Sequence, residues 1–271
     1  MPMISSTNNS KTTIKEIFDA RYIIFQLARR DFLVRYKQTS LGLLWAIINP
    51  LVNFILYTVV FGLLVRVPTP DYSAPYSAVL VVGIIYWNFF STCMNSVSDS
   101  LVNNMHLIKK VYFPRIVFGL SSTFVAVVDF VISFIFFIPI LYILDIKIEF
   151  YKLVLITPIT MLTTVLLAWG IGCFMSILKV KYKDFRHIIP LVLQVLFFAS
   201  PIVYTSSLIP VEYQTYYQLN PISHVIELAR YSFLGGSAMP SITLTLMMSL
   251  LVAMLGGGYF VYNEGKVGDL E

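Results

Sequence analysis

Long apolar runs constrain this chain more than any other feature of its sequence. Six such runs lie at residues 41–65, 75–98, 114–144, 153–178, 188–204 and 242–262. A helix needs about 20 predominantly apolar residues to cross the hydrocarbon core of a bilayer. Within lipid, only helices and closed barrels satisfy all of their backbone hydrogen bonds. The sequence therefore predicts an all-α membrane protein that forms a single membrane-spanning domain, residues 1–271. Its six transmembrane helices make up a core at residues 41–262.

The composition excludes a water-soluble globule. Hydrophobic residues make up 58% of the chain, charged residues make up 12%, and the mean hydropathy is +0.79. So little polar surface cannot coat a folded chain of 271 residues in water. Both cysteines, Cys93 and Cys173, lie inside apolar runs, which favours buried thiols over a disulfide framework.

Positively charged residues are distributed unevenly between the connecting segments. Of the 19 Lys and Arg, 15 lie in residues 1–40, 99–115, 179–187 and 263–271, and the remaining four are Arg66, Lys147, Lys152 and Arg230. These two groups alternate with every predicted crossing. Because cytoplasmic loops carry the excess of Lys and Arg, the distribution predicts that both termini lie in the cytoplasm.

The segments outside the spans differ in character. Residues 1–13 form a polar tail, and residues 263–271 form a short cytoplasmic tail. Residues 14–38 mix apolar side chains with Lys, Arg, Asp and Glu, which is typical of a helix lying in the headgroup region. Residues 207–239 are moderately apolar and are interrupted by Pro and Gly, which indicates short re-entrant helices before the last span.

Residues that would support catalysis or cofactor binding are sparse. His106, His187 and His224 are far apart and match no metal-ligand spacing, so we expect no metal site. Lys266 follows a glycine but lacks the upstream glycine of a phosphate-binding loop. Any ATP and Mg²⁺ would therefore be bound by a partner. The glycine cluster at residues 256–258 lies inside an apolar run, where close helix packing explains it better.

Asp129 is the one ionisable residue in the middle of a predicted span. A charge at this depth is costly and normally faces a cavity or a partner helix. Two interpretations remain open, namely a contact that holds helices together and a role in transport.

Four stretches of the sequence resemble one family, in the same order along the chain. The first is RDFLVRYKQTSLGLLW at residues 30–45, which continues to NPL at 49–51. The others are LIKKVYFPR at 107–115, YKDFR at 182–186 followed by SPIVY at 200–204, and LNPI at 219–222. Together they are similar to the ABC transporter type-2 permeases that export polysaccharides such as O-antigen, capsule or teichoic acid.

The resemblance implies a permease subunit of the bacterial inner membrane that carries a lipid-linked polysaccharide outward. It implies a homodimer bound to two copies of a separate ATP-binding subunit, surrounded by membrane lipids and not binding nucleic acid. The chain itself would then be a transport subunit, without enzymatic activity or catalytic residues. The family pattern also includes a coupling helix in the first cytoplasmic loop. The short tail at 263–271 departs from that pattern, which leaves its contact with the ATPase open.

Aromatic and amide side chains recur on two of the predicted spans. Since each pyranose ring has an apolar face, a tunnel that moves many sugar units benefits from aromatic rings and scattered hydrogen-bonding groups. Ordinary membrane packing with interfacial aromatic residues is the alternative. The predicted substrate path comprises Trp45, Asn49, Asn53, Tyr57, Phe61, Gln194, Phe197, Phe198 and Tyr204.

The first cytoplasmic loop is the predicted site of coupling to the ATPase. Polar side chains there are suited to contacts with the partner, and apolar ones are suited to a hydrophobic groove on its surface. The predicted coupling residues are Asn103, His106, Leu107, Ile108, Val111, Tyr112 and Phe113.

Three other functions remain possible at this stage. A membrane glycosyltransferase or ligase acting on lipid-linked sugars would use Asp145 and Glu149 as acid and base. An ABC type-2 exporter of small lipids or drugs would share the architecture. A secondary transporter would need paired buried charges, for which Asp129 alone is a weak basis.

Overall fold

The computed structural model describes residues 14–37, 40–110, 113–146, 149–236 and 240–265, and all regular secondary structure within them is helical. The α-helices are α1 (Ile14–Asp19), α2 (Arg21–Lys37), α3 (Trp45–Tyr57), α4 (Tyr76–Asn103), α5 (Met105–Ile108), α6 (Ile116–Ile143), α7 (Phe150–Lys181), α8 (Phe185–Ala199), α9 (Val211–Gln218), α10 (Pro221–Leu234) and α11 (Ile242–Asn263). Short 3-10 helices occupy Gly42–Leu44 and Ser206–Leu208, and a π-helix occupies Thr58–Leu64.

Five of the six predicted runs form helices long and apolar enough to cross a membrane. They are Gly42–Leu64, Tyr76–Asn103, Ile116–Ile143, Phe150–Lys181 and Ile242–Asn263.

The fifth run instead forms the shorter helix α8, Phe185–Ala199, which ends before Ser200 and Pro201. Ser200 adopts an extended conformation, with a ψ of 151°, because the residue before a proline is disfavoured in the helical region. The prediction that this helix continues to residue 204 is therefore wrong. At 1.5 Å per residue, the 15 residues of α8 are about 22 Å long.

Helix α4 forms the centre of the bundle, where it packs against α6, α7 and α10. Most of its apolar section is buried, whereas only 6% of the first span is buried within the chain. Cys93 of α4 and Cys173 of α7 are free, buried thiols, as the sequence predicted. The first span therefore lies at the periphery and exposes apolar surface to its surroundings.

Glycines allow α7 and α11 to approach each other closely. A Cβ added to Gly256 of α11 would lie 1.9 Å from the carbonyl oxygen of Gly170 in α7. A Cβ added to Gly172 would lie 2.7 Å from Cβ of Val97 in α4. No larger residue fits at these positions without moving a backbone. The predicted role of the glycine cluster in helix packing is confirmed at Gly256, whereas Gly258 faces open space.

The predicted interfacial helix consists of two pieces, α1 and α2, and the second enters the bundle. Arg30 Nη2 donates to Asn104 Oδ1 at 2.6 Å, close to the end of α4. Farther along α2, both Arg35 and Tyr36 donate to the carboxylate of Asp129 in α6. Asp129 thus makes the interhelical contact that was one of its two interpretations.

Two buried cations mark the two ends of the bundle. Lys179 Nζ of α7 lies 2.7 Å from Asp99 Oδ1 and 2.8 Å from Ser98 Oγ of α4. We call this end of the bundle the terminal end, because the N-terminal helix α2 contacts it through the hydrogen bond between Arg30 and Asn104. At the opposite end, the guanidinium of Arg230 in α10 donates to three backbone carbonyl oxygens. The charge distribution in the sequence predicts that Lys179 and Arg230 lie in connecting loops. This is wrong, because both residues are buried within helices.

Candidate functional site

A cavity of about 450 Å³ lies between α3, α4 and α8. Because α3 and α8 are peripheral and α4 is central, the cavity opens from the bundle towards its surroundings. Its walls combine aromatic rings with amide and hydroxyl groups. The lining residues are Asn53, Tyr57, Ile84, Trp87, Asn88, Ser91, Asn95, Pro190, Leu193, Gln194, Phe197 and Phe198.

Aromatic rings from all three helices meet on one wall of the cavity. The ring of Tyr57 in α3 stacks on Phe197 of α8 with centroids 5.2 Å apart. Trp87 of α4 contacts the same Phe197 edge-to-face at 5.5 Å. Phe198 packs perpendicular to Phe197 at 5.1 Å and remains half exposed. These contacts hold Phe197 rigidly and leave the Phe198 ring available to a ligand.

The polar groups of the cavity come mainly from α4. Asn88, Ser91 and Asn95 are spaced by three and four residues, so they lie on one face of this helix. Asn53 of α3 and Gln194 of α8 add two further amides. The Nδ2 of Asn88 is buried and has no hydrogen-bond partner among the described residues. A buried donor of this kind is costly unless a ligand or water accepts its hydrogen bond.

Irregular helix geometry shapes the wall formed by the first span. Pro50 lies inside α3, and the helix changes to a π-helix at Thr58, directly after Tyr57. Proline removes one backbone donor, and π-helical turns occur frequently at functional sites. Helix α8 likewise carries Pro190, which lines the cavity.

The structure brings together five of the nine residues predicted for the substrate path. These are Asn53, Tyr57, Gln194, Phe197 and Phe198. The polar residues of α4 were not predicted for this site. Their spacing of three and four positions within an apolar run would have indicated a polar face on that helix.

The other four predicted path residues do not line the cavity. Trp45 and Asn49 are exposed near the start of α3. Phe61 packs on Tyr57 with ring centroids 6.1 Å apart. The hydroxyl of Tyr204 donates to the carbonyl oxygen of Phe198 at 2.7 Å. Tyr204 therefore lies next to the cavity, at the end of α8, without lining it.

The predicted coupling residues lie at the terminal end, around the single-turn helix α5. Asn103 and His106 are exposed, whereas Leu107 and Ile108 are half-buried and pack against the core of the chain. Phe113 packs on Phe118 of α6 with centroids 5.2 Å apart. Two further predicted coupling residues, Val111 and Tyr112, lie outside the described residues.

The residues considered for catalysis or metal binding are dispersed. Glu149 pairs with Lys152 at 2.8 Å, and Asp145 lies at the end of α6. His224 Nε2 lies 2.8 Å from the carbonyl oxygen of Gln218. Among the described residues, no group of three or more His, Cys, Asp or Glu side chains is placed to hold a metal ion.

The sequence profile of the ABC-2 type transporter family matches residues 22–234. The chain belongs to this family. The match begins in α2 and ends with α10, so it includes all three helices that form the cavity of this ABC-2 type transporter. The resemblance seen in the sequence motifs is therefore confirmed.

Curated relatives of the transporter cover most of its length. The O-antigen export system permease protein RfbA of Klebsiella pneumoniae is 29% identical over 226 residues, which are 83% of this chain and 84% of the relative. The protein of the same name from Myxococcus xanthus is 25% identical over 198 residues, 72% of this chain and 73% of the relative. The polysialic acid transport protein KpsM of Escherichia coli is 25% identical over 237 residues, 86% of this chain and 90% of the relative.

Proposed function

We propose that this chain is the permease subunit of an ABC exporter that moves a lipid-linked polysaccharide out of the cytoplasm across the bacterial inner membrane. A separate ATP-binding subunit, present in two copies, supplies the energy. The cavity between α3, α4 and α8 carries this proposal, because it combines aromatic faces with several amide groups, one of which, Asn88 Nδ2, is buried without a partner among the described residues. The names of the relatives in Klebsiella and Myxococcus support O-antigen as the type of cargo.

The composition of the cavity suits a polymer that slides. Phe198, which is half exposed, offers a flat apolar surface to the faces of sugar rings. The amides of Asn53, Asn88 and Gln194 both donate and accept hydrogen bonds, so they match sugar hydroxyls in several registers. Such contacts are individually weak, which permits movement from one sugar unit to the next.

A second copy of the chain would complete the path. The first span is hardly buried within one chain, and the cavity opens on the side where α3 and α8 expose apolar residues such as Val52, Ile55 and Val195. Exposed apolar faces of this kind on either side of a polar groove suit a symmetric contact. In the homodimer, two grooves would face each other and enclose one channel.

Helix α8 together with residues 200–204 would form the one remaining crossing, which is the fifth of six in chain order. The helix starts shortly after Lys179 at the terminal end, and the carbonyls of Ile202 and Tyr204 are bound by Arg230 at the opposite end. The chain therefore passes from one end of the bundle to the other within this segment. With six crossings and the charge distribution described above, both termini lie in the cytoplasm.

The decisive experiment measures glycan export by variants of the cavity. In cells that lack the chromosomal gene, we expect Asn88→Ala, Tyr57→Ala and Phe198→Ala to reduce surface glycan while lipid-linked glycan accumulates inside. Two aromatic residues of α6 outside the cavity provide matched controls, Tyr142→Ala for Tyr57 and Phe136→Ala for Phe198. All variants must be present in the membrane at the normal level and co-purify with the ATPase.

The result would contradict the proposal in two cases. Full export by a variant that combines Asn88→Ala, Tyr57→Ala and Phe198→Ala would show that the cavity is not on the transport path. A null strain that loses a small lipid or a drug efflux activity, while its surface glycan stays normal, would assign the chain to a different ABC-2 cargo.

A further inference from the structure

A second cavity of about 530 Å³ lies at the end of the bundle that carries Arg230. Its walls come from the segment between the first two spans, from α9 and α10, and from the start of α11. Within the described residues, it shares no lining residue with the cavity between α3, α4 and α8. It is therefore a separate site.

The second cavity contains polar groups that have no partner in the chain. Ser223 lines it and is only 4% exposed, and its Oγ has no hydrogen-bond partner among the described residues. The hydroxyl of Tyr217 is also buried and unpartnered there. Buried hydroxyls are normally hydrogen-bonded, so these two groups need a partner that the described residues do not supply, either a water molecule or a polar group of a ligand.

Tyrosine rings give the cavity an apolar surface beside these hydroxyls. Tyr72 and Tyr231 flank Gly236, whose added Cβ would lie 3.5 Å from the first ring and 4.0 Å from the second. Glycine at this position keeps the space between the rings open. Aromatic surfaces next to hydroxyl and amide groups are the combination that binds sugar rings.

The charge of the cavity is negative. Asp71 and Glu227 both line it. Lys152 lies nearby, with Nζ 5.1 Å from the centre of the Tyr231 ring, but it pairs with Glu149 at 2.8 Å. The guanidinium of Arg230 lies behind the wall and is bound to three carbonyl groups. His224 also lines the cavity and contacts the carbonyl oxygen of Gln218. Among the lining residues that the structure describes, Asp71 and Glu227 are the acidic side chains, and the Arg230 guanidinium interacts with both of them from behind the wall.

The phenol of Tyr72 remains protonated beside these carboxylates. Burial, together with the nearby Glu227 and Asp71, raises its pKa to about 12, and Arg230 acts in the opposite direction. Tyr72 therefore adds a hydrogen-bond donor at neutral pH and no further negative charge.

Tyr204 connects the two cavities. Its hydroxyl donates to the carbonyl oxygen of Phe198, which lines the first cavity, and its ring lies 6.1 Å from that of Tyr217, which lines the second. The two cavities therefore lie on either side of Tyr204.

We propose that this second cavity binds a neutral or amino-bearing sugar unit of the glycan on the outer side, and that it disfavours acidic sugars. The inference rests on the proposed function and refines its substrate class. Uronic or sialic acid units would place a carboxylate beside Asp71 and Glu227, where like charges repel. An amino sugar would instead pair with these carboxylates.

Binding of free oligosaccharides to the full-length protein in lipid nanodiscs tests the inference without requiring export. The probes are glucosamine tetramer, maltotetraose and tetragalacturonate, titrated by saturation-transfer NMR. We expect glucosamine tetramer to bind best and tetragalacturonate to bind about tenfold more weakly than maltotetraose. Asp71→Asn combined with Glu227→Gln should abolish the ranking by charge. Glu212→Gln, an exposed carboxylate of α9 outside the cavity, is the matched control and should preserve it.

A further variant separates the two cavities. Asn88→Ala with Gln194→Ala removes hydrogen-bonding groups of the first cavity alone, so it should preserve the ranking of the three probes by charge. Tyr231→Ala removes an aromatic surface of the second cavity and should weaken the binding that shows this ranking. The inference is overturned if no probe binds, if tetragalacturonate binds best, or if the first-cavity variant loses the ranking by charge. If the inference is overturned but variants of the first cavity still reduce export, the proposed function remains intact. Export that is independent of the first cavity would refute the proposed function, whatever the probes bind.

Discussion

Arg35 at the end of α2 forms an ion pair with Asp129 in the middle of α6. Tyr36 donates to the same carboxylate, and Arg35 also reaches Ser96 Oγ of α4 at 3.2 Å. Burial and the neighbouring carboxylate raise the pKa of Tyr36, so its phenol stays protonated and donates. The contact therefore ties the N-terminal helix to two helices of the bundle, one of which lines the cavity.

Removal of the Asp129 carboxylate should loosen α2. Since two donors would lose their acceptor in a mostly buried position, we expect Asp129→Ala to lower the free energy of unfolding by about 1–3 kcal/mol. Asp129→Asn should cost less, because the amide oxygen still accepts from Tyr36. Thermal unfolding of the purified protein measures this, with the exposed Asp184→Asn as control. An equal midpoint for Asp129→Ala and the wild type would show that the ion pair does not hold α2.

Arg230 should be required for stable folding of the end of the bundle that lies opposite the terminal end. Its side chain donates to the carbonyl oxygens of Val79 at 3.1 Å, Tyr204 at 3.0 Å and Ile202 at 2.7 Å. Arg230→Met would leave three carbonyls without this donor. In Arg230→Lys a single ammonium would replace three separate nitrogen donors, so it could not reach all three carbonyls. We expect both variants to reduce the amount of protein in the membrane, whereas the exposed Arg186→Met should not. A normal level of Arg230→Met would contradict this role.

The glycines of α11 allow a matched comparison. Gly256→Ala would place a methyl group against the Gly170 backbone, and Gly258→Ala would place one in open space. Because overpacking costs about 1–3 kcal/mol, Gly256→Ala should lower the thermal midpoint clearly, and Gly258→Ala should leave it unchanged. If both variants unfold at the same temperature, α7 and α11 are not in the close contact described.

Cysteine labelling tests the orientation. Cys93 and Cys173 are buried, so an impermeant thiol reagent should not reach them in intact cells. We expect a cysteine at position 187 to be labelled only after the cells are opened. Cysteines at Ser73 and Gln214 should be labelled in intact cells. Labelling of position 187 from outside would be incompatible with six crossings and cytoplasmic termini.

The coupling loop should contact the ATPase mainly through its exposed side chains. Asn103 and His106 are exposed, while Leu107 packs against the core of the chain. His106→Asp should therefore reduce co-purification of the ATPase without lowering the thermal midpoint, and Leu107→Asp should lower both. His187→Asp, at an exposed histidine in the first turn of α8, is the matched control. Unchanged co-purification with His106→Asp and Leu107→Asp would move the coupling site elsewhere.

Hydropathy and motifs were sufficient for the helical fold and the family. Apolar runs report helix length directly, since lipid requires about 20 apolar residues per crossing irrespective of neighbours. Asn53 and Tyr57 of the first span and Phe197 of the fifth run, which the sequence placed on the substrate path, line one cavity, and their role in transport stays a prediction. These inferences need only the spacing of residues along one helix.

Other features depend on which helices meet, and only the tertiary structure decided them. Arg230 was counted as a loop charge because its three acceptors belong to segments distant in the sequence. Asn88 of α4 was not identified, because the direction in which a polar stripe faces depends on how the neighbouring helices pack. The partner of Asp129, Arg35, could not be read from the sequence, because the two residues are 94 positions apart. The sequence by itself determined where the chain is helical and lipid-compatible, whereas the pairing of buried polar groups followed from the packing of helices, because no local pattern specifies a contact between residues far apart.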